Sequence, residues 1–186
     1  PLIGSHNIKN ATAAIAVSYF IGIPLNILKK SLKNFKGVER RFNKILSFNG
    51  AEIYDDYAHH PTEIKELING VKNSYKEKKI ICIFQPHRVS RLNDLKNDFC
   101  LSFRKASSVI LCPVYKAGEN MKLDLNYKKF SEQISKKSKV QVFIVNNQYE
   151  LAKFLKQYLK PENLVIGMGA GSISNWIKEL STLMKK

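Results

Sequence analysis

Residues 51–84 read AEIYDDYAHHPTEIKELINGVKNSYKEKKIICIF, and this stretch decides the fold. It opens with a short apolar run at 51–54 and closes with a second one at 80–84. The apolar residues between these runs recur at spacings of three and four, which is the pattern of an amphipathic helix: Ile64, Leu67, Ile68, Val71 and Tyr75. A strand, a helix and a second strand in this order predict two parallel strands joined by a helical crossover.

The same alternation continues to the end of the chain. Further strands are predicted at 109–112, 140–145 and 164–166, and the segment 42–49 is a candidate leading strand. Helical patterns lie at 92–104, 127–136, 148–159 and 173–184. We therefore predict an α/β fold with a doubly wound, mainly parallel sheet.

Two further helices are predicted before this alternation begins, at 5–21 and 24–35. The pattern changes after Gly37, where short apolar runs replace the helical spacing. We therefore expect a helical segment at 1–36 and the α/β domain at 37–186.

Composition narrows the class of protein. The net charge of +16 suggests an anionic partner, but the lysines are scattered along the chain and no basic stripe is interleaved with aromatic residues. A nucleic-acid-binding module is therefore the disfavoured alternative. No apolar run approaches the ~20 residues that span a bilayer, so we expect no membrane partner. Three cysteines without a CxxC pair favour a reducing, cytoplasmic location.

Arginine is rare in this chain and clustered where it occurs. Four of the five arginines form the pairs Arg40–Arg41 and Arg88/Arg91, while lysine supplies the remaining positive charge. The guanidinium group is planar and binds phosphate or carboxylate through two parallel hydrogen bonds, which the ammonium group of lysine cannot do. Both pairs therefore predict recognition of an anion, with ordinary surface ion pairs as the alternative.

Polar residues follow the predicted strands where each strand ends. In open α/β sheets, ligands bind beyond the carboxyl ends of the strands. The polar loops at those ends are 55–63, 85–91, 113–119 and 167–172. Because these ends share one edge of a parallel sheet, we expect the four loops to form one site.

The loop at 55–63 carries two carboxylates and two imidazoles. Pro61 is suited to the first turn of the helix that follows, and a helix N-terminus favours an anion. A zinc site is less attractive, because adjacent His59 and His60 point in different directions and no cysteine has the usual spacing, so no metal ligand is assigned. A contact from Asp56 to a ribose is more natural, since a carboxylate accepts two hydroxyls. A helix cap with a surface histidine pair is the alternative.

Three other segments offer contacts to a nucleotide or a small acid. His87, Arg88 and Arg91 follow an apolar strand and suit a small carboxylate. The glycines at 167–171 lack the third glycine of a dinucleotide fingerprint, and the phosphate loop GxxxxGK[ST] does not occur in this sequence. At the start of the first helix, His6, Asn7 and Asn10 share one face, where an asparagine amide pairs with adenine or caps the helix.

Taken in series, these strings resemble the carboxyl-terminal part of the Mur ligase family, and within it the UDP-N-acetylmuramate:L-alanine ligases. The strings are GSHNIKNA at 4–11, GVERRF at 37–42, DDYAHHPTE at 55–63, FQPHRVSR at 84–91 and YKAGE at 115–119. The QPHR string distinguishes this group from the murein peptide ligases of peptidoglycan recycling, which are the alternative. Departures from the pattern are Val89, Leu92 and Ser172.

The resemblance implies an ATP-dependent amide ligase of peptidoglycan precursor synthesis in the cytoplasm. Its substrates would be ATP, L-alanine and UDP-N-acetylmuramate, joined through an acyl phosphate. It also implies that this chain is a Rossmann-like carboxyl-terminal domain preceded by the tail of a central ATP-binding domain. The phosphate loop and the ligands of Mg²⁺ would lie in the rest of that central domain, so we expect the chain alone to be inactive.

The resemblance also assigns residues, in two groups. The predicted ATP contacts are His6, Asn7 and Asn10 at adenine, Arg41 at the phosphates and Asp56 at the ribose. The predicted alanine pocket is Tyr57, His59, His87, Arg88 and Arg91. No catalytic residue is assigned.

Overall fold

The computed structural model describes residues 4–121 and 126–185. The helices in this part of the chain are α1 Ser5–Phe20, α2 Leu25–Asn34, α3 Pro61–Ser74, α4 Val89–Asp94, α5 Lys96–Leu101, α6 Tyr127–Ser138, α7 Gln148–Tyr158 and α8 Ile173–Leu183. The strands are β1 Asn43–Phe48, β2 Ala51–Asp56, β3 Lys79–Phe84, β4 Ser108–Leu111, β5 Gln141–Ile144 and β6 Asn163–Met168.

The strands form one sheet in the order β1-β2-β6-β3-β4-β5. β2, β6, β3, β4 and β5 run parallel to one another, which confirms the predicted doubly wound, mainly parallel α/β fold. The leading strand β1 pairs antiparallel with β2. Asn49 (φ 50°) and Gly50 (φ 77°) connect them, and two positive φ values are what a tight hairpin turn between two strands requires.

Helices cover both faces of the sheet because alternate residues of each buried strand point to opposite sides. Tyr54, Phe84 and Ile166 pack in one buried cluster with apolar residues of α3, α5 and α6. Ile53 and Ile83, their chain neighbours, pack in the second cluster with residues of α7 and α8. Burying each such side chain contributes about 1.5–3 kcal/mol, so both faces stabilise the α/β domain.

The prediction of one continuous helix at 92–104 is wrong. The chain forms α4 and α5, which meet at Leu95, where the backbone leaves the helical region (φ −107°, ψ 19°). Leu92, Phe99 and Phe103 are nevertheless buried in the same cluster. The apolar spacing therefore persists through the break, which is why periodicity alone predicts one helix.

The helices α1 and α2 differ from the rest of the fold in their exposed apolar side chains. Phe20 is 91% exposed, and Ile8, Val17 and Ile21 are more than half exposed. No residue of α2 is buried. Among the described helices, none is long and apolar enough to cross a membrane.

Candidate functional site

A cavity of about 930 Å³ lies between the two leading helices and the carboxyl end of β2. Residues of α1, α2, α3 and the segment before β1 line it. The five residues predicted to contact ATP are all among them: His6, Asn7, Asn10, Arg41 and Asp56. The structure therefore brings together side chains that are up to 50 positions apart in the chain.

The first turn of α1 supplies three of these side chains. His6, Asn7 and Asn10 reach the cavity because spacings of three and four place them on one face of the helix. The Nδ1 atom of His6 is buried and has no hydrogen-bond partner among the described residues. A buried polar atom without a partner is costly, so the cavity fits a ligand that hydrogen-bonds there.

Asp56 is the buried carboxylate of the cavity, with 4% of its surface exposed. Its Oδ2 accepts a hydrogen bond from the backbone N–H of Phe42 (2.8 Å), and its Oδ1 accepts one from the N–H of Ala58 (2.8 Å). Burial raises the pKa of Asp56 to about 6, although these hydrogen bonds and Arg41 oppose the rise. Each carboxylate oxygen has a second lone pair, so Asp56 can hold the backbone and still accept from a ligand hydroxyl.

Arg40 occupies a structural position that the sequence pattern does not reveal. Its Nη2 donates to the carbonyl oxygen of Gly169 after β6 (2.7 Å), and its Nε lies 3.6 Å from Oδ2 of Asp55. The guanidinium carbon of Arg40 lies 4.7 Å from the centroid of the Tyr57 ring, a cation–π distance. Arg41 is exposed and lines the cavity, so the two neighbouring arginines have different environments.

Asp55 is a further buried carboxylate, with 1% of its surface exposed. Its Oδ2 accepts a hydrogen bond from the hydroxyl of Ser174 in α8 (2.6 Å). The bond links the end of β2 to the helix that follows β6. Asp55 therefore faces away from the cavity that Asp56 lines, as alternation along a strand requires.

The predicted alanine pocket forms a separate group beside this cavity. The rings of Tyr57 and His59 meet edge to face at 5.0 Å, and those of His59 and His87 at 5.7 Å. His87 stacks on Tyr115 at 5.6 Å. Nη1 of Arg91 lies 3.3 Å from Nδ1 of His87 and donates to the His87 carbonyl oxygen (3.3 Å). The four aromatic rings form one continuous row with a guanidinium group at one side.

Backbone contacts fix the loop that carries His87. The N–H of Tyr115 donates to the Pro86 carbonyl (2.8 Å), and the N–H of Arg88 donates to the Tyr115 carbonyl (2.8 Å). Ser90 donates through its N–H and its hydroxyl to the carboxylate of Glu119 (3.1 and 2.6 Å), which lowers the pKa of Glu119. The YKAGE string at 115–119 thus holds the loop of His87 in place, although none of its residues was predicted to belong to the alanine pocket.

Electrostatics in this pocket favour an anion. Burial lowers the pKa of His87, and His59 and the two arginines lower it further. Arg88 is exposed and has a φ of 70°, a backbone conformation that costs non-glycine residues of order 1–3 kcal/mol and clusters at functional sites. Several positive or neutral donors with few facing carboxylates suit a small carboxylate ligand.

Gln85 is a site residue that sequence reasoning missed, although it stands in the QPHR string. It is 3% exposed, its Nε2 donates to the Ser172 hydroxyl (3.0 Å), and its Oε1 accepts from the N–H of Ile173 (3.0 Å). A Cβ atom on Gly171 would lie 2.4 Å from Cγ of Tyr115 and 2.7 Å from Oε1 of Gln85. The glycines after β6 therefore allow close packing of the loops, and no dinucleotide role is needed for them.

His60 caps a helix, which is the alternative role predicted from the sequence for the histidine pair. Its side chain accepts a hydrogen bond from Thr62 at the start of α3, and Glu63 completes a capping box. Within the described residues, no three His, Cys, Asp or Glu side chains converge as a metal site.

The fold and the candidate site together define an open α/β domain with its polar groups at the carboxyl ends of the parallel strands, which is where ligands bind in such sheets. Residues 40–171 match the family described as Mur ligase, glutamate ligase domain. This match covers more than half of the chain, so the chain belongs to the Mur ligase family.

The chain is similar to several curated proteins and solved structures. It is 58% identical over 184 residues to the UDP-N-acetylmuramate--L-alanine ligase of Pelagibacter ubique, covering 99% of this chain and 40% of that protein. It is 39% identical to the ligase of the same name from Bartonella tribocorum, covering 95% of this chain and 37% of that protein. The structure of UDP-N-acetylmuramate-alanine ligase from Thermotoga maritima superposes with a TM-score of 0.78 at 28% identity, covering 98% of this chain and 38% of that one. The chain thus spans about two fifths of the length of these relatives.

Proposed function

We propose that this chain is the carboxyl-terminal part of an ATP-dependent ligase that joins L-alanine to UDP-N-acetylmuramate in peptidoglycan precursor synthesis. The observation that carries the proposal is the adjacency of two different sites at one sheet edge. Asp56 lines the cavity, and the next residue, Tyr57, belongs to the ring row of the pocket. A nucleotide and an amino acid bound there would lie side by side.

The cavity would hold ATP. His6, Asn7 and Asn10 would contact the adenine, whose edge offers both hydrogen-bond donors and acceptors. Asp56 would accept from the ribose hydroxyls, and Arg41, at the exposed rim, would contact the phosphates. The unpartnered Nδ1 of His6 supports this assignment, because a base edge at that position would satisfy it.

The pocket would hold L-alanine. Arg88 and Arg91 would bind its carboxylate, and the rings of Tyr57, His59 and His87 would enclose the amine. In the proposed reaction ATP phosphorylates the lactyl carboxylate of UDP-N-acetylmuramate, and the alanine amine displaces phosphate from the acyl phosphate. The role of this chain would be to hold the nucleotide and the amine side by side, next to that carbonyl carbon.

Residues 1–36 would be the tail of a central ATP-binding domain, and residues 37–186 the carboxyl-terminal ligase domain. The exposed apolar side chains of α1 and α2 support this division, because such a surface is normally covered by further protein. The phosphate loop and the Mg²⁺ ligands of the reaction would lie in that central domain.

The proposal is tested in a chimera in which this chain replaces the matching carboxyl-terminal segment of the Pelagibacter ubique relative, with which it shares 58% identity. Product formation is followed by mass spectrometry with ATP, UDP-N-acetylmuramate and L-alanine. We expect one alanine per product and one phosphate released per amide.

A tripeptide offered in place of alanine tests the alternative of a murein peptide ligase. Preference for the tripeptide would overturn the assignment of alanine as the substrate. A chimera that folds and binds ATP but ligates neither amine would overturn the ligase function of this chain.

A further inference from the structure

We propose that His59 is the catalytic residue that takes a proton from the amine of the amino-acid substrate. This inference rests on the ligase function and the alanine pocket proposed above. Amines attack carbonyl carbons only in their unprotonated form, whereas the amine of an amino acid is an ammonium group near neutral pH. A ligase of this class therefore needs a proton acceptor beside the amine.

The hydrogen bonds of His59 fix which ring nitrogen is available. Its Nδ1 lies 2.9 Å from the carbonyl oxygen of Tyr57. A carbonyl oxygen can only accept, so Nδ1 carries the hydrogen in the neutral ring and donates a hydrogen bond to the Tyr57 carbonyl oxygen. The lone pair is then on Nε2, which has no hydrogen-bond partner within the described residues.

A carboxylate stabilises the ring once it has taken a proton. Oε2 of Glu63 lies 3.4 Å from Nδ1 of His59, one helical turn further along the chain. The same Oε2 accepts hydrogen bonds from the backbone N–H groups of His59 and His60 (3.0 and 3.2 Å), which hold it in place. Burial opposes ionisation of Glu63, but these bonds and His59 outweigh it, so the pKa of Glu63 is lowered. A base oriented by a fixed carboxylate is a recurrent catalytic arrangement.

His59 lies between two other rings of the predicted alanine pocket. The Tyr57 ring contacts one edge of the imidazole, and the His87 ring packs at 5.7 Å. Arg91 reaches His87, and Arg41 acts on Glu63 from the cavity side. An alanine carboxylate held by Arg91 would thus direct its amine toward His59.

The proposed step balances as follows. Nε2 of His59 accepts one proton from the ammonium group, which leaves a neutral amine and an imidazolium. The amine nitrogen forms the C–N bond at the acyl-phosphate carbonyl carbon, and the C–O bond to phosphate breaks with its electron pair on phosphate. As the tetrahedral intermediate collapses, the second proton passes from the nitrogen to the departing phosphate, which leaves as hydrogen phosphate, and water removes the first proton from His59.

The test uses the chimera defined above and compares kcat/KM for L-alanine across pH 5.5–9 in the parent, His59→Gln and Glu63→Gln. Loss of a general base is expected to lower kcat/KM by about 10²–10⁴-fold and to abolish the acid limb of the parent profile. Gln at position 63 keeps an oxygen for the capping hydrogen bonds but removes the negative charge. We therefore expect Glu63→Gln to lower kcat/KM for L-alanine as well, by less than His59→Gln does, because the imidazolium that forms in the step is less stabilised.

Two controls separate this role from a structural one. Glu77→Gln removes the same charge from an exposed position beyond the other end of α3 and should leave the profile unchanged. Hydroxylamine attacks acyl phosphates and is unprotonated at neutral pH, so His59→Gln should reduce hydroxamate formation less than about threefold, within the range of neutral surface changes.

Equal losses with alanine and hydroxylamine, or a kcat/KM for L-alanine that Glu63→Gln leaves unchanged, would overturn the role of His59 and leave the ligase function standing. A parent chimera that forms hydroxamate but no alanine product would overturn the alanine pocket, and the role of His59 with it.

Discussion

Substituting Asp56 by Asn should change how the stability of the chain depends on pH. The pKa of the buried carboxyl group is about 6 in the folded chain, against an ordinary value of 3.8. Between these two values the folded chain binds more protons than the unfolded chain, so the free energy of unfolding falls as pH rises. A difference of about two pKa units corresponds to a total loss of about 3 kcal/mol, most of which falls between pH 4 and pH 7. The carboxylate at Asp56 thus destabilises the fold above pH 6, which is consistent with a role in binding.

The Asn variant lacks this pH dependence but has a fixed cost. One amide oxygen can accept from either Phe42 or Ala58, whereas the carboxylate accepts from both. The N–H left without an acceptor costs about 1–3 kcal/mol at any pH. We therefore expect Asp56→Asn to be clearly less stable than the parent at pH 4 and about as stable at pH 7.

The assay is urea unfolding of both chains from pH 4 to pH 8. The single tryptophan, Trp176 in α8, packs against the second buried cluster and reports the transition. Subtracting the two curves cancels the other titrating groups and isolates Asp56. A stability difference that stays constant within about 1 kcal/mol across this range would show that Asp56 ionises normally, and would refute the reasoning.

The remaining predictions concern activity and packing. The 186-residue chain alone should release no phosphate from ATP with Mg²⁺ above a heat-killed control, because the phosphate loop is absent from its sequence; release above the control would contradict this. Gly171→Ala should lower the free energy of unfolding by about 1–3 kcal/mol, since the new Cβ overlaps Tyr115 and Gln85; unchanged urea unfolding would show that the loops can move apart. Arg40→Lys should raise the alanine KM of the chimera more than the ATP KM. The ammonium group of lysine keeps the positive charge beside Asp55 but loses the planar contact with the Tyr57 ring. Equal changes in both KM values would count against this prediction.

The sheet could be predicted from the sequence because each of its strands and crossover helices has a recognisable pattern within a short segment of the chain. Each buried strand is a short apolar run, and each crossover has helical spacing, so the elements from residue 43 onward appear in the predicted order. The antiparallel pairing of β1 is implied by the Asn49-Gly50 turn, a strong local signal for a hairpin. The break at Leu95 has no such signal, because the residues on both sides are buried in the same cluster.

The separation of the site into two parts could not be predicted from the sequence. The four polar loops were expected to form one site, but the position of α1 relative to β2 depends on contacts between distant segments. Arg40 and Arg41 are equivalent in sequence. In the fold Arg40 contacts Gly169 and Asp55, whereas Arg41 lines the cavity, and these environments depend on segments that are distant in the chain. Gln85 likewise gains its role only when the loops after β3 and β6 meet.

The measurement that tests the two adjacent sites most directly is a comparison of two variants in the chimera, Asp56→Asn and Arg91→Lys. Asp56→Asn removes a charge-assisted hydrogen bond and Arg91→Lys removes a planar one, and neither change alters the size of the side chain greatly. The loss of one charge-assisted hydrogen bond, ~1.5–3 kcal/mol, corresponds to roughly a 10- to 150-fold loss in kcat/KM. We predict that Asp56→Asn causes this loss for ATP while the alanine KM stays within twofold, and that Arg91→Lys does the reverse. The account would be contradicted if either variant impaired the use of ATP and of alanine equally. It would also be contradicted if Asp56→Asn mainly impaired the use of alanine and Arg91→Lys mainly impaired the use of ATP.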